Sequence, residues 1–158
     1  MKLFGKMTII GIGLLGASLA KACKERGLVG EITGYGRNRE NLEKAQALKI
    51  IDHCPASLAE AVKDADLIVL CTPVTTIVPL IQSMVAEIRS GTLITDVGSV
   101  KEPVVKEAEK VVPEGMFFVG SHPIAGGENS GLEASTANLY EGAKCIVTPT
   151  EKTDKKAL

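Results

Sequence analysis

A short apolar run, Met7–Ile12, leads directly into Gly11-Ile12-Gly13-Leu14-Leu15-Gly16. Leu15, Ser18, Leu19 and Ala22 then recur at helical spacing, and Gly27 follows as a stop signal. A GxGxxG spacing is weak on its own, but between a strand and a helix it leaves few folds open. Gly11 allows a tight turn, Gly13 lets the backbone approach a pyrophosphate, and Gly16 lets helix and strand pack closely. The helix N-terminus adds unpaired N–H groups and a partial positive charge, so Gly11 to Gly16 are together candidate cofactor contacts. The plainer alternative is a glycine-rich turn that binds nothing.

The rest of the chain alternates strand and helix. Glu31–Tyr35 reads as a second strand, and Asn38 as the cap of a helix carrying Leu42, Ala45 and Leu48. A short strand near Ile50–Asp52 and a helix over Leu58–Val62 come next. Asp66–Cys71 is the clearest central strand, followed by helix Thr76–Ile88, strand Thr92–Asp96, helix Glu102–Val111 and strand Met116–Ser121. Pro103 falls in a first helical turn, where proline is tolerated. Ser121–Gly131 is a loop, Leu132–Tyr140 a helical stretch and Lys144–Thr148 a last strand. This alternation predicts an α/β fold of Rossmann type, doubly wound, with a mainly parallel sheet and helices on both faces. Aromatic residues are only 3% of the chain and the apolar content is mostly Ala, Val, Ile and Leu, as buried parallel strands require. Residues 1–150 form one dinucleotide-binding domain in this reading. Residues 151–158 open a helix leading toward a C-terminal portion that the chain does not include.

About 20 residues past the glycines, where an NAD-binding domain places an acid on the ribose, the count from Gly16 lands on Gly36. No carboxylate stands there to repel a 2′-phosphate. Arg37 can pair with one while stacking on adenine, and Asn38 follows, so NADP is the expected cofactor and NAD the alternative. The bland reading makes Arg37 and Arg39 solvated surface residues. Ligands of open α/β sheets bind at strand carboxyl ends. Two further segments lie there, Cys71-Thr72-Pro73-Val74 and Asp96-Val97-Gly98-Ser99-Val100-Lys101. The four cysteines, Cys23, Cys54, Cys71 and Cys145, show no CxxC pair and no metal-ligand spacing, so neither metal nor disulfide framework is expected. Cys71 is read as a strand-end core thiol.

His122 follows the last parallel strand, in Gly120-Ser121-His122-Pro123-Ile124-Ala125-Gly126-Gly127-Glu128-Asn129-Ser130-Gly131. An imidazole there can take a hydroxyl proton as the carbon beside it loses hydride. Ser99 is a candidate to orient that histidine or the substrate. The alternative is a histidine that only packs a loop. His53, the other histidine, reads as a surface residue.

GIGLLGASLA, DLIVLCTPV, TDVGSVK and above all GSHPIAGGENSG resemble the prephenate/arogenate dehydrogenase family of tyrosine biosynthesis, from about Met7 to Thr148. The resemblance implies NAD(P)-dependent oxidative decarboxylation of prephenate or arogenate to 4-hydroxyphenylpyruvate or tyrosine. It implies that His122 is the catalytic histidine bonded to the ring hydroxyl, with Ser99 positioning that hydroxyl. Glu128 matches an acid at the site entrance, and Ser121, Gly126 and Lys101 fall with it on the substrate side. Cofactor contacts are implied at Gly36, Arg37, Asn38, Cys71, Thr72, Pro73, Val97 and Gly98. Members of the family that use NAD often carry an acid where this chain has Gly36. The family's helical second domain, which builds a homodimer and supplies cations for the substrate carboxylates, is not in this sequence. Lys101 and Lys144 are the remaining candidates for that role. Another NADP-dependent hydroxy-acid dehydrogenase domain, or a non-catalytic NADP-binding module, are the other readings.

Charge restricts partners further. Eighteen basic residues balance nineteen acidic ones, leaving −1, with no basic stripe for nucleic acid. No apolar run has the length of a membrane span, the N-terminus is too short and polar for a signal peptide, and the scattered thiols suit a cytoplasmic setting.

Overall fold

The computed structural model describes residues 1–158. Its elements in chain order are β1 (Phe4–Ile10), α1 (Leu14–Glu25), β2 (Val29–Tyr35), α2 (Arg39–Ala47), α3 (Leu58–Val62), β3 (Leu67–Leu70), α4 (Val74–Met84), β4 (Leu93–Asp96), α5 (Glu102–Val111), β5 (Phe117–Pro123) and β6 (Cys145–Thr148). They form one sheet of order β2-β1-β3-β4-β5-β6. Every neighbouring pair is parallel except β5 with β6, so the expected doubly wound, mainly parallel architecture is present. The chain reverses direction across the sheet between β1 and β3, and their carboxyl ends part at that point.

Strand alternation divides the core in two. Ile9 and Val69 point to one face, where Ala17 and Ala20 of α1 and Leu42 and Ala45 of α2 cover them. Ile10, Ile68, Leu70 and Ile94 point to the other, under Val62 of α3, Ile77 and Ile81 of α4 and Val104 and Ala108 of α5. Side chains of opposite parity on each strand thus feed opposite helical layers, which is why both faces are apolar. No helix is long and apolar enough to cross a membrane.

Several expected boundaries move, each for a local reason. β1 runs from Phe4 and stops at Ile10, because Gly11 turns with φ +100°. Its first residues escape an apolar-run criterion, since they include Gly5 and Lys6. They pair nonetheless with Val29–Glu31, and a Cβ on Gly30 would meet the Gly5 carbonyl oxygen at 2.4 Å. The strand expected near Ile50–Asp52 is reduced to a single bridge between Thr33 and His53, although Ile50 and Ile51 are buried. α4 begins at Val74 and ends at Met84 rather than covering Thr76–Ile88.

The helix expected over Leu132–Tyr140 does not form. Its bonds span three residues, Leu132 O to Ser135 N and Asn138 O to Glu141 N, as in consecutive turns. Ser, Thr and Asn side chains compete with the helical ladder. Here Ser135 bonds back to Leu132 O, and Thr136 N is taken by Ser18 Oγ of α1 at 3.1 Å. Residues 151–158 are likewise turns, held by Thr153 N to Thr150 O and Ala157 N to Asp154 O, not the opening of a helix.

Candidate functional site

The carboxyl ends of β1, β2 and β3 enclose a cleft of about 880 Å³. Its floor is Ile10, Gly11, Ile12 and Gly13. One wall is Tyr35, Gly36, Arg37 and Asn38, and the other is Cys71, Thr72 and Pro73. The three segments picked out from sequence therefore meet at the switch point of the sheet. The cleft also takes in Arg39, Asn41, Leu42, Thr76 and Leu80, which sequence reasoning left out. Thr76 and Leu80 lie one turn apart on α4, a spacing that shows only once that helix is known to face the cleft.

The glycines fall into two groups. A Cβ on Gly16 would sit 2.1 Å from Gly11 O, and one on Gly11 would sit 2.6 Å from Cys71 O, so the fold itself demands both. Gly13 is different. Its backbone is extended (φ −98°, ψ −154°) and a Cβ there would meet no protein atom within 4 Å. Nothing in the protein requires a glycine at 13, whereas a phosphate resting on the α1 N-terminus does. Gly36 is similar, with its nearest neighbours 4.0 Å away on Gly11. The residues present therefore fit a dinucleotide: a bare cradle over a helix N-terminus, with open space beside it.

Charge at the rim is arranged unequally. Arg39 is engaged, its Nε donating to Glu43 at 2.9 Å and its guanidinium also reaching Cys54 O. Arg37 is exposed at the cleft wall and takes part in no such ion pair. Asn38 Oδ1 caps α2 by accepting from Asn41 N at 3.0 Å, as expected of a capping residue. The Cys71 thiol is enclosed although part of the residue stays accessible; burial, with the nearby Asp96 carboxylate, pushes it up to about 12. It stays protonated and is no nucleophile.

Leu14, Leu15 and Gly16 form the first turn of α1 behind the cradle and do not line the cleft. Leu15 O accepts the Tyr140 hydroxyl at 2.8 Å, which ties the turn-rich segment after the histidine loop to α1. Burial pushes the Tyr140 hydroxyl well up from its ordinary value, so it stays protonated and donates to Leu15 O.

The carboxyl ends of β4 and β5 carry the other candidates. His122 is half-buried and lines a separate concavity of about 590 Å³ with Ile124, Gly126, Leu139 and Glu141. Ser121 points to the opposite sheet face, beside Val97 and Thr95, and its Oγ donates to Asp96 O at 2.6 Å. Ser99 and Glu128 are exposed. Ser99 stands on the turn after β4, and no hydrogen bond joins it to His122. Gly98 is buried, with its N–H on Asp96 Oδ2 at 2.9 Å. Lys101 corrects an expectation: its ammonium is paired with the fully buried Asp96, and at 11% side-chain exposure it is not available to a substrate carboxylate. Lys144 lines the apolar side groove beside Cys145.

Comparison with known proteins finds relatives of the same fold. Residues 19–158 match the family model described as prephenate dehydrogenase, nucleotide-binding domain. The chain is 40% identical over 151 residues to a prephenate dehydrogenase of Bacillus subtilis, covering 95% of this chain and 41% of that protein. A cyclohexadienyl dehydrogenase of Zymomonas mobilis is 34% identical over 158 residues, covering 100% and 54%. Among solved structures, a prephenate dehydrogenase from A. aeolicus in complex with hydroxyphenyl propionate and NAD+ superposes with a TM-score of 0.89 at 40% identity, over 97% of this chain and 53% of that one. The chain thus spans about half the length of these relatives. Fold, cleft and likeness agree, and the chain belongs to the prephenate dehydrogenase nucleotide-binding domain family.

Proposed function

We propose that this chain is the NADP-binding half of a prephenate or arogenate dehydrogenase. The observation that carries the cofactor part is the pair Gly13 and Gly36: neither glycine is required by packing, and both open the cleft where a dinucleotide would lie. Arg37 supports NADP over NAD, since it stands at the ribose end without a carboxylate for a partner. A guanidinium meets a phosphate with two parallel hydrogen bonds, which a hydroxyl cannot reciprocate. NAD is the second reading, favoured by the A. aeolicus relative at 40% identity, whose structure is a complex with NAD+.

The same relative holds hydroxyphenyl propionate, a phenol on a three-carbon acid, which has the skeleton of the expected product. The bound nicotinamide would supply a hydride acceptor. His122 would accept the proton of the ring hydroxyl, its imidazole being reachable from the concavity beside Gly126. Loss of the ring carboxylate as carbon dioxide then makes the ring aromatic, so the protein has mainly to orient groups and move one proton. Ser99 would orient the hydroxyl from the turn after β4, and Glu128 would stand at the entrance. A cytoplasmic setting, suggested by the scattered thiols, and a homodimeric whole protein, which rests on the resemblance, belong to the same proposal.

The test is NADPH formation, followed by absorbance, with prephenate and with arogenate, in this domain completed by the family's helical second domain. Turnover of either supports the reading and identifies the substrate. Nucleotide binding with no turnover of either would reduce the chain to a binding module.

A further inference from the structure

We propose that Asp96 is a positioning residue, whose carboxylate locks together the two loops that carry Ser99 and His122. The proposal rests on the reading of His122 as proton acceptor.

The parallel ladder between β4 and β5 ends at Thr95 opposite Val119. Beyond that pair the strands must part for a ligand to reach their ends, and side-chain bonds take over from the ladder. Asp96 is the next residue, and it is fully buried. It accepts from Gly98 N at 2.9 Å, on the turn leading to Ser99, and from Ser121 N at 3.2 Å, next to His122. Its charged partner is Lys101, at the N-cap of α5. Ser121 Oγ returns a bond to Asp96 O at 2.6 Å. One carboxylate therefore joins the turn after β4, the start of α5 and the catalytic end of β5.

The packing around it leaves little slack. A Cβ on Gly98 would stand 2.8 Å from Asp96 Oδ2. One on Gly120 would stand 2.6 Å from Val105 Cγ2 of α5, so that glycine lets β5 pack against the helix that Lys101 opens. Glycine at 98 lets the turn after β4 close on the carboxylate. Buried ion pairs add little net stability compared with apolar replacements, and holding one defined arrangement is the use that remains. The arrangement also answers what Lys101 does. It neutralises Asp96 and is spent there.

The chain has only two histidines, His53 and His122, so proton NMR can follow each one. His53 lies on the far side of the cleft, beside Glu31, and serves as the internal control. Asp96→Asn keeps the shape and removes the charge; Asp96→Asn with Lys101→Met removes both charges and guards against a misfolded single variant. Both variants are expected to lower kcat by about 10- to 100-fold with KM for NADP+ within about twofold. The ring-proton chemical shifts of His122 are expected to move while those of His53 stay. Recovery of wild-type kcat and His122 shifts in the double variant would show that only charge balance matters and would overturn the proposal. An unchanged kcat with unchanged His122 shifts in folded Asp96→Asn would overturn it too, as would loss of the fold in both variants. kcat is read in the domain-completed enzyme; if that enzyme turns over neither substrate, the proposed reaction fails, and the two sets of histidine ring-proton signals still decide whether Asp96 holds the loop.

Discussion

The two halves of the sheet's carboxyl edge are built in opposite ways. At the ends of β1, β2 and β3 the site is backbone: glycines, a helix N-terminus and a concave wall, with a single unengaged cation at its rim. At the ends of β4 and β5 it is side chains, a buried carboxylate and ammonium at the root of the loops and a histidine and a serine further out. A nucleotide needs a preformed cradle, because its pyrophosphate is recognised by N–H groups that the fold holds in place. Proton transfer needs a side chain at a set distance, so its precision depends on what anchors the loop. Damage to the first half should therefore show in nucleotide affinity, and damage to the second in turnover.

The largest expected effect separates the halves outright. His122→Ala is expected to lower turnover by about 10²- to 10⁴-fold while calorimetry finds the nucleotide affinity unchanged. A parallel loss of affinity would mean that the histidine belongs to the cofactor site. Within the first half, Gly13→Ala is expected to weaken nucleotide binding by about 100-fold with little change in melting temperature, since its Cβ would face the cleft and meet no protein atom within 4 Å. Gly16→Ala should do the reverse, costing about 1–3 kcal/mol of stability in thermal melts because its Cβ collides with Gly11 O. Equal melting losses in the two variants would remove the distinction between fold-required and ligand-required glycines.

A smaller effect is expected at the rim. Arg37→Ser should weaken NADP+ by about tenfold and leave NAD+ unaltered, as loss of a charged phosphate partner does. The smallest concerns acid stability, and it lies in the nucleotide half. Burial opposes ionisation of Asp52, but bonds from Lys24 Nζ and Ile32 N, with the charges of Lys24 and His53, outweigh it and hold the carboxyl below its ordinary value. A carboxyl depressed in the folded state stabilises fully above its unfolded pKa of about 3.9 and loses that contribution as pH falls through the folded value. Asp52→Asn should therefore flatten the fall in melting temperature below about pH 4. A fall as steep as in the wild type would assign acid sensitivity to other carboxylates.

The nucleotide half was the more legible in sequence, for a physical reason. Its contacts are backbone, and the glycines that expose backbone sit at a local spacing, Gly11 to Gly16, which a linear reading detects. Strand–helix alternation likewise predicted the doubly wound sheet from apolar runs such as Asp66–Cys71. What failed was long-range. The start of β1 was hidden because Gly5 and Lys6 owe their strand to the neighbouring Val29–Glu31. Leu132–Tyr140 has helical apolar spacing, yet Ser18 and Leu15 of α1 hold it as turns. Lys101 looked like a substrate cation because its partner Asp96 meets it only through the turn after β4. The helix expected over 151–158 has no face to bury, and those residues form turns.

The central claim is that the cleft between β1 and β3 is a nucleotide site tuned by Gly36 and Arg37, and parallel calorimetric titration with NADP+ and NAD+ at one salt concentration tests it most directly. The account predicts binding of both, with NADP+ tighter by about tenfold, or roughly 1.4 kcal/mol. Tighter binding of NAD+ would make Arg37 a bystander. Binding of neither would contradict the assignment of the site itself.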